Sequence, residues 1–251
     1  MQNDKEIQLC KKRFLDLANR SYYKQYAIFS DFLALNEQAV FQEIEKELPP
    51  VSFLMWGGNA LSERKMICFS GDEPTKEEFP IAVIKICAAH AKYAEKLTHR
   101  DYLGAVLNLG IDRCKIGDIM LVDEEAFLFV EQSMEEYIAS SLEKVRHTKV
   151  VCKKVGTDVT FEQKYKEISG TVQSVRLDAV ISVAFKSSRS QLISMISSGR
   201  VFVNGSLIAS NSFRLKEGDI VSVRGMGKFL YEKELDVTKK GKIRILLRKY
   251  V

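Results

Sequence analysis

The sequence predicts an α+β protein of three parts: a helical N-terminal region that ends in a β-hairpin, a mixed middle domain, and a small basic α+β domain at the C-terminus. Apolar residues keep helical spacing near the N-terminus, they switch regularly between strand and helix spacing in the middle, and positive charge is concentrated near the C-terminus. A chain of 251 residues accommodates two or three domains. We expect these domains at residues 1–75, 76–165 and 171–251.

Helical periodicity extends over residues 5–47 and stops at Pro49-Pro50. Two alternating segments, 51–56 and 65–69, then flank the Gly57-Gly58-Asn59 turn, which predicts a hairpin. The helical pattern depends on apolar residues at i, i+3 or i+4 spacing, namely Phe14, Leu17, Ala18, Phe29, Phe32 and Leu33.

Three tyrosines lie inside this helical region, next to cations. Tyr22, Tyr23 and Tyr26 are close in sequence to Arg20 and Lys24. Aromatic rings beside cations suit the stacking of nucleic-acid bases, but such clusters more often pack one helix on another. We therefore expect packing.

The middle part follows the order strand, helix, strand, strand, helix, strand, which is the ferredoxin-like arrangement that RNA recognition motifs share. Phe127 and Phe129 alternate on one strand, but no Gly-Phe-x-Phe signature surrounds them, so the fold alone does not predict base stacking. We expect the polar segment 156–171 to be the junction to the C-terminal domain. The predicted elements cover residues 81–88, 99–109, 119–122, 126–130, 133–143 and 150–154.

Residues 175–229 predict two short helices followed by a small sheet. Ser188 precedes Gln191 by three residues, which is the spacing of a capping box, so the second helix should begin after Ser188. Gly199 stands where a helix ends in a C-cap glycine. The Asn204-Gly205 pair indicates a hairpin, because both central residues of that turn need positive φ.

The charge of the chain is divided unevenly. Residues 171–251 contain 15 Lys and Arg against 6 Asp and Glu, whereas residues 1–170 contain 23 basic and 27 acidic residues. Such asymmetry suits a polyanion-binding domain joined to something else. An ordinary solvated basic surface would give the same counts, and charge alone leaves the two interpretations equal.

Composition excludes several classes of protein. Five dispersed cysteines without a C-x-x-C pair, together with a polar start that lacks an apolar signal segment, favour reduced thiols in the cytoplasm. No apolar run approaches the length of a membrane span, so we expect no membrane association. Three scattered histidines do not have metal-ligand spacing, and no Gly-x-Gly loop follows a strand. We expect no metal and no cofactor.

The C-terminal pattern resembles the S-four-type RNA-binding domain in Arg176-Leu177-Asp178, Ser188-Arg189, Gly199-Arg200-Val201-Phe202-Val203-Asn204-Gly205 and Leu215-Lys216-Glu217-Gly218-Asp219. Ser188 and Arg189 would stand at a helix N-terminus, where free N–H groups and the helix dipole favour an anion. Arg176, Arg224 and Lys228 are further candidates for RNA contact. For Asn204, turn chemistry and RNA contact remain equally open. The resemblance implies an RNA-contacting face that includes Lys186, Ser187, Ser188, Arg189, Gln191, Arg200 and Asn204.

A second resemblance concerns the middle of the chain. His99-Arg100-Asp101-Tyr102-Leu103-Gly104-Ala105, Leu109-Gly110-Ile111-Asp112-Arg113 and Lys115-Ile116-Gly117-Asp118-Ile119 resemble the central signature of the YlmH family, bacterial proteins with a C-terminal S-four-type domain. With the C-terminal match, the resemblance covers nearly the whole chain. It implies a non-catalytic protein that binds structured rRNA or tRNA at the large ribosomal subunit with peptidyl-tRNA. It also implies a part in ribosome-associated quality control and a genetic association with cell division, and it leaves the oligomeric state open.

Two alternatives remain. Pseudouridine synthases carry a catalytic Arg-Leu-Asp, but only 73 residues follow Asp178 here and the RNA-binding domain occupies them. We therefore expect Asp178 to be an acid in the first turn of a helix. A protein-interaction adaptor in cell division is the other alternative, and it would show an exposed apolar patch on the N-terminal helices.

Overall fold

The computed structural model describes residues 2–90, 92, 94–157, 159, 161 and 165–250, without the side chains of Gln2, Asn3, Asp4 and Arg189. The chain divides into two compact units, residues 1–161 and 162–251. The boundary expected after residue 75 falls inside the first unit and stays a prediction. No helix within the described residues is long and apolar enough to cross a bilayer.

The N-terminal part of the first unit forms a helical pair on a three-stranded antiparallel sheet of order β1-β3-β2. The predicted hairpin is confirmed as β2 and β3. The predicted helical run is interrupted, because Gln25 adopts a positive φ of 55° and a short strand precedes the second helix. The elements are α1 (Gln2–Lys24), β1 (Ile28–Phe29), α2 (Leu35–Ile44), β2 (Ser52–Trp56) and β3 (Met66–Ser70).

The middle part is an antiparallel sheet of order β5-β6-β4-β8-β7 with two helices. Its first four strands have the ferredoxin-like order, and β7 adds a short hairpin partner to β8. The predicted ferredoxin-like fold is confirmed. The elements are β4 (Ile81–Ala88), α3 (His99–Leu107), β5 (Ile116–Val122), β6 (Glu125–Glu131), α4 (Glu135–Ser141), β7 (Lys144–Val145) and β8 (Thr148–Val155).

Both faces of this middle sheet are covered. One face packs on α3 and α4 through a buried apolar cluster. On the other face, Phe127 and Phe129 share a buried cluster with Phe32 and Phe79. Gly58 allows this close approach, since it has a φ of +88° and a Cβ there would lie 2.5 Å from the Phe129 ring. The sheet face on which RNA recognition motifs stack bases is therefore closed by protein.

The second unit places two helices on a six-stranded antiparallel sheet of order β11-β10-β12-β13-β14-β9. The predicted helix pair and following sheet are confirmed. A buried apolar cluster joins the helices to one face of the sheet. The elements are β9 (Tyr165–Val172), α5 (Leu177–Phe185), α6 (Arg189–Ser197), β10 (Val201–Val203), β11 (Ser206–Leu207), β12 (Ile220–Val223), β13 (Gly227–Val237) and β14 (Ile243–Tyr250).

The junction predicted over residues 156–171 is wrong from Tyr165 onward. The strand β9 pairs with β14 along its whole length and belongs to the sheet of the second unit. Its apolar alternation is weak because Gly170 stands at a helix-facing position, where a Cβ would lie 2.5 Å from the Val183 side chain. A glycine at the closest approach of strand and helix removes the signal by which a strand is identified.

Candidate nucleic-acid interface

The corner between α5 and α6 is fixed by side-chain hydrogen bonds. Lys186 ends α5 in the left-handed conformation, with φ 52° and ψ 39°, and is exposed. The Ser182 hydroxyl donates to the Ser187 carbonyl oxygen at 3.0 Å, and the Ser188 Oγ accepts from the Gln191 N–H at 3.4 Å. The predicted cap at Ser188 is confirmed. The first N–H groups of α6 thus stand directly after Lys186, which makes this corner electropositive.

Phe185 anchors the corner to the sheet. The Phe185 ring contacts the Phe229 ring edge-on at 5.8 Å between centroids. The Lys249 Nζ lies 4.5 Å from the centroid of the Phe185 ring. A Cβ on Gly227 would lie 3.9 Å from the same ring. Lys186 is therefore next to the turn between β12 and β13 and to the end of β14.

Three more cationic residues lie at this end of the sheet. The Arg224 N–H donates to the Arg200 carbonyl oxygen at 2.9 Å, so these residues are neighbours across β10 and β12. The Arg224 guanidinium lies 4.7 Å from the centroid of the Phe202 ring. Nearby, the Lys228 Nζ lies 4.1 Å from the centroid of the Tyr250 ring.

These side chains form what we call the cationic end. Lys186 and Lys249 are on the helix-covered side of the sheet, while Arg224 and Lys228 pack on aromatic rings of the other side. Within the described part of the chain, Lys186, Arg200, Arg224 and Lys249 have no carboxylate partner. Unpaired cations held on fixed backbone suit a polyphosphate ligand. The cationic end consists of Lys186, Arg200, Arg224, Lys228 and Lys249.

Arg176 is not part of the cationic end. It lies before α5, at the opposite end of that helix from Lys186, and nine residues of helix span roughly 13 Å. Its guanidinium makes a two-point contact with Asp178, with Nε–Oδ1 at 3.2 Å and Nη2–Oδ2 at 3.3 Å. Asp178 is a buried acid in the first turn of α5, as predicted. Its charge is balanced by Arg176.

Asn204 has two internal hydrogen bonds. Its Nδ2 donates to Asp219 Oδ1 at 2.8 Å, and its Oδ1 accepts from the Ile220 N–H at 2.9 Å. Asn204 and Gly205 have φ values of 48° and 82°, which confirms the predicted turn. The geometry favours turn chemistry over RNA contact for this residue.

The remaining predicted contacts surround the α5–α6 corner. Ser187 donates its hydroxyl to the Phe185 carbonyl oxygen at 3.3 Å, and Gln191 is exposed on the first turn of α6. The backbone of Arg189 begins α6, but its side chain lies outside the described residues. These three residues stay predictions as RNA contacts.

Sequence reasoning missed Lys249 and Tyr250 of the last strand, and Tyr165 of β9. A signal was present, because Ile243, Ile245 and Leu247 alternate toward the helices and Lys249 follows in the same period. On the opposite side, the Tyr250 ring contacts the Tyr165 ring at 5.1 Å between centroids. Tyr165 belongs to β9, whose weak apolar alternation does not indicate a strand.

Comparison with known proteins gives two domain matches and one full-length relative. The family described as "Putative RNA-binding domain in YlmH" matches residues 74–158, and the family described as "S4 domain" matches residues 175–221. The chain is 30% identical to "Ribosome-associated protein quality control protein P2" of Bacillus subtilis (strain 168) over 244 residues, which cover 94% of this chain and 93% of that protein.

Among solved structures, the chain is similar to "Cell division protein ylmH from Streptococcus pneumoniae". The identity is 19% and the TM-score is 0.49, with 60% of this chain and 91% of that chain covered.

Proposed function

The chain belongs to the YlmH family of RNA-binding proteins, and from this premise we propose that it is a non-catalytic factor that binds structured RNA, ribosomal RNA or tRNA, at the large ribosomal subunit. The name of its B. subtilis relative assigns that protein to ribosome-associated quality control. We extend the same role to this chain, acting in the cytoplasm on subunits that carry peptidyl-tRNA. Any part in cell division would follow from that role.

One observation carries the proposal: within the residues that the structure describes, Lys186, Arg200, Arg224 and Lys249 of the cationic end have no carboxylate partner. A phosphate backbone releases counterions when cations such as Lys186 and Arg200 replace them, and this supplies affinity without sequence information. The major groove of A-form duplex RNA is deep and narrow, so side chains cannot read the base edges in it. The expected selectivity is therefore for the shape of a folded RNA.

The state of Asp178 supports a non-catalytic role over an RNA-modifying one. A nucleophilic carboxylate has to approach its substrate, whereas Asp178 is buried beneath the guanidinium of Arg176. The Arg-Leu-Asp sequence is explained by this ion pair and by the helix dipole.

The test is a binding titration with tRNA and with large-subunit rRNA over a salt series. We expect Lys186→Glu with Arg200→Glu to weaken binding by about tenfold or more. The salt slope, by which we mean the slope of log K against the logarithm of the salt concentration, should decrease in magnitude by about 2. The matched control is Lys239→Glu with Lys240→Glu, which makes the same charge change at exposed positions in the turn after β13. Equal losses in the two double variants would show that only net charge matters and would contradict a defined interface.

The ribosomal target is tested by crosslinking in cells followed by RNA sequencing. We expect reads from large-subunit rRNA and tRNA, and we expect the Lys186→Glu, Arg200→Glu variant to lose them. Reads confined to the small subunit or to messenger RNA would contradict the proposal.

A further inference from the structure

Three tyrosines at the end of α1 are exposed, contrary to the packing expected from the sequence. The exposed fractions of the side chains are 39% for Tyr22, 78% for Tyr23 and 51% for Tyr26. Surface tyrosines are common singly, but three within five residues place a large aromatic area in water at one point. Clustered exposed aromatic side chains are typical of interaction sites.

The backbone that carries these tyrosines is held firmly. Gln25 leaves the helix in the left-handed region, with a φ of 55°, and its N–H donates to the Ser21 carbonyl oxygen at 2.9 Å. The fully buried Ser21 hydroxyl is 3.0 Å from the Tyr26 carbonyl oxygen and 2.9 Å from the Phe69 carbonyl oxygen. A left-handed residue directly after a helix is a common way for the helix to end. The reversal after α1 thus holds the backbone of Tyr26, while the Tyr22 and Tyr23 rings contact each other edge-on at 5.4 Å between centroids.

Cations accompany the rings. The Lys24 Nζ lies 5.8 Å from the centroid of the Tyr26 ring and 3.4 Å from its hydroxyl oxygen. Arg20 stands one turn earlier, is exposed, and lies 3.8 Å from the Asp16 carboxylate in a solvated pair. The helix α1 contains six Lys and Arg against three Asp and Glu, while the rest of residues 1–170 contains 17 basic and 24 acidic residues. The tyrosines therefore end a basic helix within an otherwise acidic part of the chain.

We propose that Tyr22, Tyr23 and Tyr26 form a stacking site for unpaired RNA bases, with Lys24 and Arg20 neutralising the neighbouring phosphates. Aromatic side chains stack on single-stranded bases of any sequence, and adjacent cations follow the backbone. The middle sheet does not supply this function, since its Phe127 and Phe129 are buried under the N-terminal part. The inference rests on the proposed function, in that the ligand is RNA, but it concerns a different surface.

The chemistry of the surface favours RNA over a protein partner. Tyrosine is also frequent in protein interfaces, but the buried core of such an interface is depleted of charged residues. The exposed aliphatic residue of α1 is Leu9, which lies thirteen residues before Tyr22 and so about 20 Å along the helix. The tyrosines themselves are next to cations.

The test compares an RNA hairpin that has a single-stranded loop with a blunt RNA duplex of equal length. We expect Tyr22→Ser with Tyr23→Ser to weaken hairpin binding about tenfold, to leave duplex binding unchanged, and to leave the salt slope unchanged, because stacking releases no counterions. The control is Tyr22→Phe with Tyr23→Phe, which keeps both rings and should keep the affinity. The thermal unfolding midpoint checks that the serine variants fold, and Tyr23→Ser alone is the milder variant.

Photocrosslinking to a hairpin with 4-thiouridine in its loop gives a second readout. We expect crosslinks on the peptide that contains Tyr22 to Tyr26, lost in the serine pair. If the serine pair binds the hairpin normally while Lys186→Glu with Arg200→Glu does not, the stacking site is wrong and the proposed function stands. If neither change affects RNA binding, both proposals fail.

Discussion

The Nζ atom of Lys249 lies 4.5 Å from the centroid of the Phe185 ring. This contact joins the last strand of the chain to the helix end that presents Lys186. The S4 match stops at residue 221, yet Phe229 and Lys249 both lie beyond it and hold Phe185 in place. The cationic end is therefore built partly by strands that the domain match does not include.

Lys249→Gln tests whether the last strand takes part in RNA binding. We expect RNA affinity to fall several-fold and the salt slope to decrease by about 1, because one phosphate contact is lost. The free energy of unfolding should change by less than about 1 kcal/mol, the usual worth of a cation–π contact. Lys242→Gln removes the same charge from an exposed position before β14 and is the matched control. An effect of equal size in Lys242→Gln would assign the loss to net charge.

Asn204→Gly distinguishes the two roles that the sequence left open for this residue. Glycine keeps the positive φ but loses both hydrogen bonds, so we expect the free energy of unfolding to fall by about 1–2 kcal/mol. Chemical denaturation measures this loss, and a titration well below the unfolding temperature should give unchanged RNA affinity. Weaker RNA binding with unchanged stability would instead indicate direct contact.

Local chemistry could be predicted from the sequence, and contacts between distant segments could not. The cap at Ser188 and the turn at Asn204-Gly205 depend on a few neighbouring residues, and both were predicted. The strand β9 was missed because Gly170 replaces an apolar side chain at a position where Val183, a residue of α5, packs against the strand. The exposure of Tyr23 was missed because a helical pattern indicates which residues share a face, but not whether another element covers that face.

An ion-pair network around Asp31 should make the stability of the first unit depend on pH. Burial alone would raise the pKa of the Asp31 carboxyl, but the ion pairs with Lys115 and Arg13 outweigh it and lower the pKa below its usual value. The unfolded chain then binds a proton more readily than the folded chain, so the network stabilises the protein above about pH 4. This stability is lost as the pH falls through the lowered pKa.

Lys115→Met removes the Nζ that lies 2.9 Å from Asp31 Oδ1. We expect the free energy of unfolding at neutral pH to fall by about 1 kcal/mol, since the pair is partly solvated. Urea denaturation should also show a weaker loss of stability in the variant as the pH falls below about 4. Lys65→Met, another lysine of the first unit, controls for the removal of one positive charge. A variant with the pH profile of the original protein would contradict the role of this network.

Gly170→Ala tests the close packing of β9 against α5. The new Cβ would lie 2.5 Å from Val183 Cγ1, and the β-branched valine has little rotamer freedom on a helix. We expect a loss of about 1–3 kcal/mol in the free energy of unfolding, the usual cost of overpacking. Val183→Ala should restore part of this loss in the double variant, because the two changes act on one contact.

Gly104→Ala is the control of opposite sign. A Cβ at that helical position meets nothing within 4 Å, so the higher helix propensity of alanine should raise the free energy of unfolding by roughly 0.5–1 kcal/mol. Additive effects of Gly170→Ala and Val183→Ala would mean that the strand and the helix do not meet there, and β9 would then have no steric reason to carry a glycine.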